Sequence, residues 1–168
     1  MKENQNSFIS LCPVSSRDKN IIFNLMPLYL HDLSAYTNNL TVDRQGRFVY
    51  ENLDLYWERE ALQPYLIKSS EDIVGFLLLN RPPFAPTGTD FYVNELFILT
   101  YYRRKGFARK ALKQCFTDNP GNYMVVQMIN NKSAISFWHQ LYEEEGIIFE
   151  ERQDVLQDEP CLLQKFTI

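Results

Sequence analysis

The 168-residue sequence is short of the residues from which most signature sites are built. Its six glycines (Gly46, Gly75, Gly88, Gly106, Gly121 and Gly146) are too scattered for the Gly-x-Gly-x-x-Gly turn of a dinucleotide site, and the same scatter excludes a nucleotide P-loop. No Gly-x-Ser-x-Gly segment supports a serine hydrolase. His31 and His139 are the only histidines, neither with a second histidine or a cysteine at ligand spacing, so no metal is expected. Cys12, Cys115 and Cys161 are odd in number, far apart and set in apolar runs, which fits reduced thiols and a cytoplasmic protein. No apolar run approaches bilayer-spanning length, and the polar residues 2–7 contain no signal-peptide core, so neither export nor a membrane partner is expected. Positive charge is also in deficit: 17 Lys and Arg against 21 Asp and Glu give a net charge of -4, which argues against nucleic acid, whose phosphates need a basic face.

What remains is an ordinary globular composition, 45% hydrophobic and 23% charged, with 12 Phe and 10 Tyr to supply an aromatic core or a ring-lined cleft. The length suits one domain spanning 1–168. Residues 8–14 read as a strand. Ser15 or Ser16 is placed to cap a helix running from about Arg17 into the 25–36 region, bent near Pro27. Residues 53–62 read as a short helix, 64–68 and 73–79 as a hairpin, and 91–99 as a long buried strand. Apolar Phe107, Ala108, Ala111, Leu112, Cys115 and Phe116 form one helical stripe, and Ala134, Phe137, Trp138 and Leu141 another, which Gly146 ends. A strand at 123–129 lies between them, and 147–151 and 161–166 read as final strands around a polar connection, 152–160.

The segment Arg103-Arg104-Lys105-Gly106-Phe107-Ala108 lies where the strand gives way to the first of these helices. A small residue there lets an anion approach bare N–H groups at a helix start that carries roughly half a positive charge. The helix start and the basic island around it, which includes Arg109 and Lys110, point to phosphate. The charge island alone also reads as a solvated helix start.

The pattern Arg-x-x-Gly-x-Ala resembles the acyl-CoA pyrophosphate loop of the GNAT superfamily of N-acetyltransferases. Asn131-x-x-Ala134-Ile135-x-Phe137-Trp138-x-x-Leu141 is similar to that superfamily's helix after the following strand. The resemblance implies a mixed α/β fold, a mostly antiparallel twisted sheet of six to seven strands flanked by helices and splayed at the acyl-CoA site. It implies acetyl-CoA as co-substrate, with backbone groups of Phe97 and Ile98 along its pantetheine arm and Arg103 to Ala108 around its pyrophosphate. The activity implied is transfer to a primary amine of a small molecule or peptide. A non-catalytic acyl-CoA-binding domain and a transferase of another acyl group stay open, as does a homodimer.

Transfer to an amine needs a base and no covalent protein intermediate. Glu95, alone in an apolar strand before the cofactor stretch, is the candidate base, and desolvation there raises a carboxyl toward neutrality. An outward Glu paired with a cation fits the sequence equally well. Where many members carry an acidic Tyr, this chain has Trp138, which cannot serve. Tyr142, one turn further on, is the substitute to consider, against a plain core role. Asn131 reads as a helix cap and Asn130 as a further cofactor contact. Tyr29, Asp32 and Tyr36, at spacings of three and four, form a candidate acceptor wall that suits an ammonium group. The run 143–145 reads as a solvated helix end.

Overall fold

A computed structural model describes residues 8–168; the polar opening, 2–7, lies outside them. Seven strands form one sheet: β1 (Ile9–Pro13), β2 (Leu62–Ser69), β3 (Asp72–Asn80), β4 (Phe91–Ile98), β5 (Asn122–Met128), β6 (Phe149–Leu156) and β7 (Glu159–Thr167). Their order is β1-β2-β3-β4-β5-β7-β6, and every neighbouring pair is antiparallel except β4 with β5. Three helices accompany them, α1 (Lys19–Leu33), α2 (Phe107–Asp118) and α3 (Lys132–Glu145). The mixed, mostly antiparallel sheet is thus as expected, with seven strands.

Alternation sorts the strand residues into two cores. Val74, Leu77, Leu79, Val93 and Val125 pack with α2 and α3, while Leu66, Phe76, Leu78 and Phe97 pack with Ile22, Met26 and Leu30 of α1. α2 buries its apolar stripe on one of these faces, starts at Gly106 in the left-handed region (φ +77°) and stops before Pro120. Asn131 caps α3 by accepting the Ala134 N–H at 3.0 Å, and Gly146 closes it at φ +65°.

Four boundaries differ from the sequence reading. The cap position of α1 is Asp18, which receives the Ser15 hydroxyl at 3.0 Å but makes no side-chain cap bond itself. α1 ends at Leu33, so Tyr36 lies beyond the helix and not on a face shared with Tyr29 and Asp32. Only Leu53–Trp57 of the 53–62 stretch is helical, as a 3-10 turn, because Leu62 onward is drawn into β2 against Asn80. The polar connection read at 152–160 is instead strand on both sides of a two-residue turn. Gln157 and Asp158 both have positive φ there, the geometry of a tight hairpin, and an edge strand tolerates polar residues on its wet face.

β4 and β5 pair only along Phe91–Val93 with Tyr123–Val125. Beyond those rungs the strands part, leaving residues 94–98 and 126–128 without each other. A bulge marks the place: Leu78 pairs with Glu95 and Leu79 with Val93, so Asn94 has no partner on β3. A bulge bends and further twists its strand, which carries β4 away from β5.

Candidate active site at the parted strands

The bulge at Asn94 sets Asn94 and Glu95 into a polar network on the α1 side of the sheet. Tyr29, from α1, donates its hydroxyl to Glu95 Oε2, and Tyr50, from the loop before the 3-10 turn, donates to Oε1 at 3.0 Å. Asn94 Nδ2 donates to the hydroxyls of Tyr50 (2.9 Å) and Tyr56 (3.0 Å), and Tyr56 donates to Asn80 Oδ1 at 2.6 Å. The Tyr29 ring is fixed edge-on to Phe76 and tilted against Phe97, both centroids 5.7 Å away.

Burial disfavours the Glu95 carboxylate more than the two phenol donors favour it, and its pKa rises to about 7. Burial first, and the Glu95 charge second, hold the Tyr29 and Tyr50 phenols above their usual range, so both remain protonated donors. The site therefore holds a carboxyl half ionised near neutrality, in the range a general base needs. No exposed ion pair occupies it.

At the start of α2 the first helical bond is Lys110 N–H to Gly106 O, 3.1 Å. Phe107, Ala108 and Arg109 precede that bond, so their N–H groups stand ahead of the helical ladder. No side chain caps the helix. A Cβ on Gly106 would meet nothing within 4 Å, so the glycine is needed for its positive φ and not for space. Arg104 is also at positive φ (59°). Lys105 Nζ sits 4.0 Å from the Tyr101 ring centroid.

Arg103 turns away from the loop. Its Nε donates to Ile98 O at 2.7 Å, its Nη2 pairs with Asp32 of α1, and its guanidinium lies 5.7 Å from the Phe97 centroid. Asp32 is thereby tied to Arg103. Phe97 O crowds Gly75 so closely that any Cβ there would overlap it, which makes Gly75 the point where β3 and β4 need a glycine. Arg109 pairs with Glu144 and Lys113 with Glu145 (3.0 Å), so the acidic end of α3 is a helix-to-helix clamp and not merely a solvated end.

Tyr142 is the clearest correction. It is buried among Trp138, Phe149 and Phe166, its hydroxyl donates to Gln164 Oε1 at 2.9 Å, and burial holds its phenol well above the usual range. A proton donor to a leaving group has to reach it, and this hydroxyl is committed inside the core. Trp138 is buried beside it.

Asn130 Nδ2 reaches Tyr36 O at 3.4 Å, at a cavity of about 430 Å³ that Tyr36, Thr37, Asn39 and Glu159 also line. Thr37 and Asn39 both donate to Glu159 Oε1, the second at 2.7 Å, tying the segment after α1 to the start of β7. The sequence reading missed Tyr50, Asn94 and this tie. Only Asn94 left a signal: two adjacent polar residues, Asn94-Glu95, interrupt an alternating strand, as a bulge does. Among the described residues no group of three or more His, Cys, Asp or Glu is placed to hold a metal ion, and no helix is long and apolar enough to cross a membrane.

Comparison with known proteins finds the same fold elsewhere. Residues 28–142 match the profile described as Acetyltransferase (GNAT) family. An acetyltransferase from Thermus thermophilus superposes with a TM-score of 0.68 at 16% identity, covering 95% of this chain and 97% of that one. Diaminobutyrate acetyltransferase EctA from Paenibacillus lautus, solved with L-2,4-diaminobutyric acid and coenzyme A, gives 0.63 at 14% identity over 95% of each chain. A Bacillus anthracis str. Ames protein described as a streptothricin acetyltransferase, in complex with acetyl coenzyme A, gives 0.57 at 14% identity, over 96% and 98%. No curated protein matches the sequence.

Proposed function

The chain belongs to the GNAT acetyltransferase family, and from that premise we propose that it moves an acetyl group from acetyl-CoA directly to a primary amine, with Glu95 as the base. The observation that carries this reading is Glu95 itself, a half-buried carboxyl held by Tyr29 and Tyr50 and pushed up to about 7, on the stretch of β4 that has parted from β5. Acetyl-CoA supplies the activated acetyl group as a thioester.

The residues present fit that co-substrate. Residues 94–98 and 126–128 offer strand edges that β4 and β5 do not use on each other, and a pantetheine arm carries two amides able to pair with such edges. Phe97 and Ile98 are the β4 contacts proposed, although Ile98 O already receives Arg103. The N–H groups of residues 107–109 behind Gly106, flanked by Arg104 and Lys105, suit a pyrophosphate. Arg103 serves by bracing β4 and α1. Asn130 remains a proposed contact at the far end of β5.

Glu95 takes the amine proton, while Tyr29 and Tyr50 orient its carboxylate. A thiol with a pKa near 8.5 departs without help, so the reaction asks no acid of α3. For the acceptor we propose the Tyr29–Tyr50 side of Glu95 and the cavity beside Tyr36; Asp32 acts there only through Arg103. An amine carried by a small molecule or a peptide fits a protein of net charge -4. One observation favours a second reading, acyl-CoA binding without transfer: Trp138, at the position of the usual acid, and Tyr142, one turn on, are both buried in the core.

The test is a panel of small amines and peptides with free N-termini, incubated with acetyl-CoA. Free thiol and acetylated product are measured, with acetyl-CoA binding followed separately by calorimetry. Thiol release matched by product supports transfer; binding with no release above the buffer rate across the panel supports the second reading.

A further inference from the structure

In the network around Glu95 each side chain dictates which way the next one donates, and the order runs from the wall of the site inward. Asn80 turns Nδ2 toward the Phe84 carbonyl (3.5 Å), which can only accept, so its Oδ1 faces Tyr56 and takes that hydroxyl's proton at 2.6 Å. The Tyr56 oxygen then has lone pairs to offer and no proton. Asn94 meets it with Nδ2 at 3.0 Å and, through the same nitrogen, meets the Tyr50 hydroxyl at 2.9 Å. Tyr50 keeps its own proton for Glu95 Oε1, at 3.0 Å.

Turning the Asn94 amide over would undo this order. Its carbonyl would claim both phenol protons and strip Asn80 Oδ1 and Glu95 Oε1 of the donors they now have. The fold puts Asn94 in this place. In a regular strand residues 94 and 95 point to opposite faces, whereas the bulge that leaves Asn94 without a partner on β3 brings both to the α1 side. Tyr50 comes from an irregular segment and Asn94 from a strand, so Asn94 is the anchored member of the pair.

We propose that Asn94 is a positioning residue for transfer to the amine: by taking a lone pair of Tyr50 it commits that phenol's proton to the Glu95 carboxylate. The inference rests on Glu95 being the base, as proposed above. An ionised carboxylate gains more from the donated proton than a neutral carboxyl does, so loss of Asn94 raises the pH at which Glu95 ionises. The other groups that interact with Glu95 are Tyr29 of α1, which donates to Oε2, Tyr56 of the 3-10 turn and Tyr92 of β4 itself. Burial, first among the causes, holds all of these phenols and Tyr50 above their usual range, so none changes charge near neutrality, and no cation is among the groups that shift Glu95.

Carbon-13 NMR of the side-chain carboxyls, with the Glu95 signal identified by its loss in Glu95→Gln, measures the Glu95 midpoint in wild type, Asn94→Leu, Tyr50→Phe and the double variant. Asn94→Leu is expected to raise the midpoint by about half a pH unit, less than the roughly one unit expected of Tyr50→Phe, and to raise it no further in the Tyr50→Phe background. No shift in Asn94→Leu, or the same shift in both backgrounds, overturns the proposal. Should Asn94→Leu not fold, Asn94→Asp keeps the size and replaces the amide hydrogens by an acceptor; its shift is expected to be larger with Tyr50 present than in the Tyr50→Phe background, and equal shifts overturn the proposal. With an acceptor identified, Asn94→Leu is expected to lower kcat/KM about three-fold near pH 6 and to recover by about pH 9, with acetyl-CoA affinity unchanged in calorimetry. A loss that persists at high pH makes Asn94 structural and overturns it. Coupled NMR shifts in a protein that acetylates no amine overturn the reading of Glu95 as the base, whereas transfer with uncoupled shifts overturns Asn94 alone.

Discussion

Glu95 and Glu151 both receive hydrogen bonds from buried or half-buried side chains of the same sheet, yet their acidities move in opposite directions. Glu95, on the α1 side, takes two phenol hydroxyls and is raised to about 7, because burial outweighs those donors. Burial also tends to raise Glu151, but less, and the Gln164 amide and His139 Nε2 (2.6 Å) together hold it below its usual range. Donors alone therefore do not decide the direction of the shift. What distinguishes Glu95 is that the bulge at Asn94 and the ring of tyrosines remove it from water, while Glu151 stands on an edge strand. The tyrosines divide the same way: Tyr29 and Tyr50 serve a titrating carboxylate, and Tyr142 serves a neutral amide.

The largest effect expected is on Glu95. Glu95→Gln should lower kcat by roughly 10²- to 10⁴-fold with acetyl-CoA affinity nearly unchanged, and Glu151→Gln should leave kcat within about two-fold. Equal losses in the two variants would erase the distinction. The same pair separates in stability. Because folding raises the Glu95 pKa from 4.5 to about 7, its favourable contribution is complete below pH 4.5 and is lost as pH rises through 7. Glu95→Gln should thus raise the unfolding temperature at pH 8 by a few degrees, about 1–3 kcal/mol, and change it little at pH 4.5. A drop at pH 8 would mean that the ionised carboxylate stabilises the fold.

A smaller effect sharpens the comparison. The phenols favour the ionised form of Glu95, so Tyr50→Phe should move the acid limb of the kcat/KM profile upward from about 7 by roughly one pH unit. Turnover then falls up to about ten-fold near pH 6 and recovers at high pH. A limb that stays put or moves down shows that Tyr50 does not bond the charged form. The smallest effect belongs to the other face. Tyr142→Phe removes one buried hydrogen bond and should cost about 1 kcal/mol in urea unfolding, with kcat unchanged. A kcat lowered ten-fold or more would restore Tyr142 as the acid.

The sequence disclosed the parts of this site that local rules govern. Gly106 before a helical stripe, Asn131 at a cap and Gly146 at a helix end each obey short-range geometry, and each stands where its neighbours in sequence require. Glu95 was legible because one carboxylate in an apolar strand breaks a pattern. Its partners were not, since Tyr29 and Tyr50 come from 66 and 45 residues away and nothing in their own surroundings points to it. Tyr142 misled for the same reason: helical spacing fixes the face on which a residue lies but not the depth to which the sheet covers it. Asp32 and Arg103, 71 residues apart, each looked like a ligand-binding charge until the fold paired them.

The short contact between β4 and β5 has a mechanical meaning. Three backbone rungs join β1–β4 to the β5–β7–β6 side, and beyond them the two parts are linked by side chains: Thr37 and Asn39 on Glu159 at one face, Arg109 on Glu144 and Lys113 on Glu145 between the helices of the other. The rungs do not respond to salt, whereas the two partly exposed ion pairs weaken as ionic strength rises. At its apex the wedge is therefore held by bonds that salt leaves alone, and toward its mouth partly by pairs that salt loosens, like a clothes-peg whose spring is backbone and whose jaws are side chains.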